Sequence, residues 1–428
     1  MNAVSVIAVL VLLAFLLIWR AGKVYPILYL LLFTFFLQYI FSTYFVYNEY
    51  KELRMQMPIS QDELFSYAVP AICFFFLGIF IFNRDMDISN LLKKIDRKKA
   101  ARFGYLLLLI SYSFDFIKFA GYSGFDSVVS FTYYLKYLAV FCFLFSNSWI
   151  LYSLSILIYI QLIGLVLQTG VFIDFITWGT FLFFFICLAF ELSFYMRALV
   201  FLAAIPILTT IQAVKNEYRH ATWPSQKAGG IGLFSDLVQK KTLENTGEPF
   251  EHSEGVVRTI GRLSQGWHLG LTLKRVPLKQ PFADGQEMLS DIGSSLLPRY
   301  LYQDKKVVHT KEKFYKYTGH KIGKTTSMTI GIFGDFYINY GYYGSFVMLF
   351  LFGALISKYT RAFITKYVVP DPINIIWLPF LLSYLIRADN DFYIFINCLV
   401  KGFGMFFVIN YFRIHYMEPK RTNQLMPL

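Results

Sequence analysis

Apolar residues gather in long blocks along this chain, parted by short polar turns. Eight blocks run near 3–19, 25–46, 66–82, 103–120, 128–146, 148–168, 170–190 and 197–214, and three more near 331–357, 373–388 and 392–412. A helix rising about 1.5 Å per residue needs roughly 20 apolar residues to cross ~30 Å of hydrocarbon. Backbone placed in lipid must satisfy its own hydrogen bonds, which selects helices for such blocks. The pattern predicts an all-α, polytopic helical membrane protein of about eleven transmembrane helices. It also sets one segment apart. Residues 215–327 are polar, hold five of the six histidines, and are punctuated by Pro224, Gly229-Gly230, Pro249, Pro277 and Pro281. Three parts follow: an N-terminal bundle over 1–214 with about eight spans, a large loop over 215–327, and a C-terminal part over 328–428 with about three spans and a short tail. The loop is too long for a passive connector. Its apolar spacing predicts short amphipathic helices around Glu254–Leu273 and Gly285–Leu296.

Composition agrees with this class. The chain is 56% hydrophobic and 20% aromatic, and its 16% charged residues fall well below the ~25% of a soluble domain. A net charge of +13 raises nucleic acid as a partner, but the distribution of the charge argues against it. Short loops on one side hold Arg20 and Lys23, then the run Arg84, Lys93, Lys94, Arg97, Lys98, Lys99 and Arg102, then Arg197, then Lys358, Arg361 and Lys366, and finally Arg413, Lys420 and Arg421. The intervening loops are different: 121–127 has no Lys or Arg, and 49–63 has more acids than bases. Basic short loops stay cytoplasmic and attract anionic headgroups. This places the N-terminus outside, the C-terminus in the cytoplasm and residues 215–327 outside. Long loops translocate regardless of charge, so the basic character of 215–327 does not oppose the assignment. The first block lacks a basic n-region and reads as an anchor. Cys73, Cys142, Cys187 and Cys398 each sit in an apolar run without a Cys-x-x-Cys pair, which predicts buried thiols and no disulfide or zinc framework.

The chemistry-bearing positions are few. Gly319 to Thr325 is one residue short of a phosphate-binding loop and lacks its strand–loop–helix setting. His220, His252, His268, His309 and His320 are scattered singly, so neither a metal nor a cofactor is expected. Asp115 and Lys118, one turn apart, predict a local pair. More informative is the run from Arg258 to Gly344. It reads Val257-Arg258-Thr-Ile-Gly-Arg262-Leu-Ser264, Pro281-Phe282-Ala-Asp-Gly285-Gln286 and Leu297-Pro298-Arg299-Tyr300-Leu-Tyr-Gln-Asp304-Lys305, followed by Gly331-Ile-Phe-Gly334-Asp335-Phe-Tyr337-Ile-Asn339-Tyr-Gly341-Tyr-Tyr-Gly344. In its order, and in the layout of many spans, one late outer loop and a few further spans, the chain resembles the bacterial oligosaccharide repeat-unit polymerases, the Wzy-type O-antigen and exopolysaccharide polymerases. Outside Arg258–Gly344 the resemblance is one of architecture. Some members carry an Arg-x10-Gly pattern; here Arg275 and Gly285 are separated by nine residues.

The resemblance implies a fold like that of the C-type glycosyltransferases and a metal-independent transfer at the outer face of the bacterial inner membrane. Undecaprenyl-pyrophosphate-linked glycan would be both donor and acceptor. Membrane lipid, a chain-length regulator and a flippase would be its partners. A pyrophosphate leaving group calls for guanidinium groups, which bind phosphate oxygens as a fork and do not deprotonate. Stabilising departing charge is usually the largest catalytic effect. The residues implied as catalytic are Arg299, Arg262, Arg387 and Asp335, the last either taking the acceptor proton or orienting an arginine. Those implied in substrate binding are Arg258, Arg275, Lys305, Asp389, His309, His320 and Tyr300. An O-antigen ligase and a lipid-linked glycan flippase are the rival readings. The absence of two matching halves weighs against the flippase.

Overall fold

A computed structural model describes residues 2–82, 86–119, 131–222, 229–244, 254–296, 311–323 and 328–417. Every regular element among them is a helix. Eight precede the polar segment: α1 (Ala3–Arg20), α2 (Ile27–Asn48), α3 (Gln61–Phe82), α4 (Arg97–Phe119), α5 (Leu135–Leu144), α6 (Trp149–Thr169), α7 (Phe172–Ala189) and α8 (Phe194–Thr222). Five lie within it: α9 (Ile231–Glu244), α10 (Glu254–Leu263), α11 (Gly266–Arg275), α12 (Gln286–Leu296) and α13 (Lys311–Thr318). Three close the chain: α14 (Gly331–Val368), α15 (Pro372–Leu382) and α16 (Phe392–Met417). Two one-turn helices, Lys51–Arg54 and Ser89–Leu92, complete the set.

Nine of these helices are long and apolar enough to cross a membrane, so the chain is a polytopic helical membrane protein. The expectation of eleven spans needs correction at two places. Among the described residues, the blocks at 128–146 and 373–388 yield α5 and α15, which are shorter than the other apolar helices. Every residue of α15 from Ile373 to Leu382, and of α5 from Leu135 to Phe143, is buried. A helix enclosed by protein on all sides meets no lipid and need not match the bilayer thickness. The boundary after residue 214 also shifts, because α8 continues to Thr222.

The spine of the bundle is α3 lying against α14. Two glycines let the backbones touch: a Cβ on Gly78 would stand 2.0 Å from the Phe350 carbonyl oxygen, and one on Gly353 would stand 2.4 Å from that of Phe75. Close approach through small residues is the usual way helices associate without help from water. Local ends follow ordinary rules. Asn2 caps α1 by accepting from Ser5 N at 2.8 Å, and Gly170 ends α6 in the left-handed region with φ of 64°.

Two breaks in membrane helices are filled by the polar segment. A π-turn over Phe36–Phe41 in α2 leaves the Gln38 carbonyl to accept from Gln265 N at 3.0 Å. Beside it, the Thr43 and Ser264 hydroxyls meet at 2.9 Å. This anchor splits the helix expected over 254–273 into α10 and α11. In α14, Gly341 is non-helical, with φ of 68° and ψ of −169°. The carbonyls of Ile338 and Asn339 instead accept from Ala283 N (2.8 Å) and Gly285 N (3.0 Å). The motif Pro281 to Gln286 thus completes a broken helix.

Candidate functional site

The polar chemistry concentrates where the loop helices meet the first turns of α14 and α16. Two carboxylates cap these helices reciprocally. Asp391, just before α16, accepts from the backbone of Ile330 (3.0 Å) and Gly331 (3.1 Å) at the start of α14. Asp335, in the second turn of α14, accepts from Phe392 N at the start of α16 at 2.8 Å. Orphan N–H groups and positive dipole ends make such positions favourable for acids. Lys313 of α13 closes the group, with Nζ 2.6 Å from Asp335 Oδ1 and 3.4 Å from Asp291 Oδ2 of α12. Asp335 and Asp291 are fully buried. Burial works against the Lys313 cation, but Asp335, Asp391 and Asp291 more than offset this and hold its pKa above the ordinary lysine range. Burial, then Asp335, also raise Asp391 above its usual range, up to about 8. We term this group the carboxylate–lysine knot.

The turn between α15 and α16 is held rigidly over the knot. Tyr39, stacked on Phe333 at 4.1 Å, donates to Ala388 O at 3.2 Å and accepts from Phe333 N at 3.3 Å. Thr329 donates to Asp389 O, and Asn390 Nδ2 to Tyr384 O at 2.6 Å. Gly331 is required here: its φ is +74°, and a Cβ would meet the Tyr39 oxygen at 2.8 Å. The turn projects Arg387 and Asp389, whose side chains pair at 3.7 Å.

A second group, of opposite character, surrounds that turn. Lys215, near the end of α8, lies within electrostatic reach of Arg219 one turn on, of Arg262 at the end of α10 and of Arg387, and Arg219 lies within reach of Arg262. Their acidic neighbours are Asp389 and, on α7, Asp174. Burial disfavours the Arg387 cation, but Asp389 and Asp174 outweigh it and raise its pKa. Arg219 Nε donates to Gly170 O at 2.9 Å and Arg258 Nη1 to Ala213 O at 3.2 Å, which fixes the ends of α6 and α8. Arg262 is exposed. His268 lies nearby on α11, edge-on to Trp267 at 5.2 Å, and burial pushes its pKa down to about 4. It is therefore neutral at pH 7 and adds no charge to the group.

Of the residues singled out in the sequence, Arg262, Arg387 and Asp389 come together here, with Arg258 beside them. Arg275 stands apart: its Nε donates to Lys316 O at 2.8 Å and closes the end of α13. His320 is exposed and edge-on to Trp267 at 5.1 Å. Asp335 is sealed from solvent and bound to Lys313 and to the backbone of Phe392. Asp115 pairs with Lys136 on α5 at 2.5 Å, while the Lys118 side chain lies outside the described residues. Arg299, Tyr300, Lys305 and His309 also lie outside them. The four cysteines are free thiols; Cys73 is exposed and the rest are buried. Among the described residues, no cluster of three or more His, Cys, Asp or Glu is arranged to hold a metal.

Lys215, Arg219, Lys313 and Asp291 were not singled out in the sequence. Lys215 and Arg219 carried a usable signal, two cations at i,i+4 spacing at the end of an apolar block. Lys313 lies among the basic residues Lys305, Lys306, Lys311 and Lys316 and cannot be told from them by sequence. Comparison of the chain with family models, curated proteins and solved structures returns no match.

Proposed function

We propose that this protein is a membrane glycosyltransferase that extends glycans carried on a polyprenyl pyrophosphate, acting at the outer face of the bacterial inner membrane. The observation that supports this reading is the convergence of Lys215, Arg219, Arg262 and Arg387 at the junction of the bundle and the polar segment. Among the described residues, the basic side chains here outnumber Asp389 and Asp174, which suits an anionic group that enters and departs. In the reaction, the bond between the anomeric carbon and the pyrophosphate oxygen breaks and the electron pair leaves with pyrophosphate. A hydroxyl of the next lipid-linked repeat forms the new bond, and its proton passes to the departing pyrophosphate. The leaving group keeps its polyprenyl tail in lipid, so it departs at the membrane face, where these cations stand. Arg387, held charged by Asp389 and Asp174, is positioned to bind the departing oxygens, with Arg262 as the exposed guanidinium that first meets the substrate.

The deciding experiment is the length distribution of surface glycan. Deleting the gene should leave glycan one repeat long. Loss of all surface glycan, with the lipid-linked repeat stranded in the cytoplasm, would mean a flippase. Finished polymer left unattached would mean a ligase. Arg387→Ala should abolish extension while the protein accumulates normally, and an unchanged ladder of chain lengths would sink the reading. Labelling that found residues 215–327 in the cytoplasm would sink it equally.

A further inference from the structure

The opposite face of the bundle carries a second cationic feature, away from the polar segment. The start of α4 and the end of α16 border an open cavity of about 290 Å³. Arg413 lies at its floor, nearly fully buried, with its guanidinium on Asp371 and 3.4 Å from Asn374 Oδ1, and 4.7 Å above the Phe103 ring. Lys99 Nζ is 3.3 Å from the same Asp371. The rim is different. Lys98 and Arg102, one turn apart on α4, line the cavity, and their side chains make no ion pair or hydrogen bond among the described residues. The one acid in the lining, Asp96, has its Oδ1 engaged with the backbone N–H groups of Lys98 (2.8 Å) and Lys99 (3.2 Å). Phe103 and Met417 give the cavity apolar wall.

Among the described residues, Lys98, Lys99, Arg102 and Arg413 stand against two carboxylates, those of Asp96 and Asp371. A basic rim over an apolar wall, at the end of membrane helices, matches a phosphate that carries an apolar stem. We infer that this cavity is a binding site for a phosphate-bearing headgroup, that of an anionic phospholipid, clasped by Lys98 and Arg102 over the Arg413 floor. The apolar stem would leave along Phe103 toward the exposed lipid-facing surface of α16, where Phe407, Phe412 and Tyr416 stand out. The site is independent of the glycan chemistry on the other face.

The full-length protein in detergent micelles tests this by native mass spectrometry. It would be titrated with phosphatidylglycerol, with phosphatidylcholine, and with inorganic phosphate alone. The wild type should retain one phosphatidylglycerol in preference to phosphatidylcholine. The double variant Lys98→Gln/Arg102→Gln should lose about tenfold or more of that affinity, the usual weight of a charge-assisted phosphate contact. The control Lys94→Gln/Lys358→Gln makes the same change in net charge at exposed sites outside the cavity and should keep it. Binding of inorganic phosphate by the wild type but not by the cavity variant, with no preference for the lipid, would support the site with the free ion as its source. Equal loss in both double variants would show diffuse attraction and overturn the inference, as would retention unchanged in both.

Discussion

The carboxylate–lysine knot and the cationic group at the α15–α16 turn lie side by side, yet differ in every physical respect. In the knot, three acids surround one buried lysine, and each has defined partners at 2.6–3.4 Å. Around the turn, four basic side chains stand near two acids among the described residues, and Arg262 reaches solvent. Charges buried without compensation are costly, so the buried group is saturated and the excess of basic side chains sits where one of them reaches water. The knot joins α12, α13, α14 and α16. It thereby fixes the turn that presents Arg387, so the saturated group sets the geometry of the cationic one.

The sharpest way to break this contrast is to unpair the knot. Lys313→Met leaves buried carboxylates without a counter-ion and should cost about 3–5 kcal/mol, seen as a large fall in the melting temperature in detergent. Adding Asp335→Asn and Asp291→Asn in the same chain should recover most of that loss. A Lys313→Met protein that melts like the wild type would remove the knot from the fold. Arg262→Ala should do the opposite, leaving the melting temperature unchanged while slowing glycan extension about 100-fold. Arg262→Lys should fall between, since it keeps the charge and loses the fork.

A pH series also separates the two groups. The folded chain holds the Asp391 proton up to about 8, whereas the unfolded carboxyl releases it near 3.8. The native state therefore binds more protons across that window, and stability should fall as pH rises through it. Asp335, Asp291 and Lys313 are the charged groups that face Asp391. Asp391→Asn keeps an oxygen for the two N–H groups and should flatten melting temperature against pH between 4 and 8. A profile as steep as the wild type's would assign the slope elsewhere. Smallest of all, Arg275→Ala should cost about 1 kcal/mol through the end of α13 and leave extension unaltered. A large loss of extension would move Arg275 into the reactive group.

Much of the architecture was legible because lipid makes a one-dimensional demand. A run of apolar residues long enough to cross is recognisable without knowing its neighbours, which is why the blocks led to α1–α4, α6–α8, α14 and α16. The same reasoning overcounted at α5 and α15, where apolar composition reflects enclosure by protein. Within the site, Arg262 and Arg387 could be picked from residue type and position. Lys313 could not, since its exposed neighbours have the same composition, and only packing put it against Asp335.

By itself, then, the sequence determined the class of molecule, the polar segment that interrupts it and the residue types able to bind an anion, because hydrophobicity and charge are properties of each residue alone. Only the tertiary structure decided that Pro281 to Gln286 completes the break at Gly341, that Asp335 and Asp391 cap each other's helices, and that cations from α8, α10 and the α15–α16 turn share one place. Those outcomes depend on distances between residues far apart in the chain, which burial and hydrogen bonding settle together.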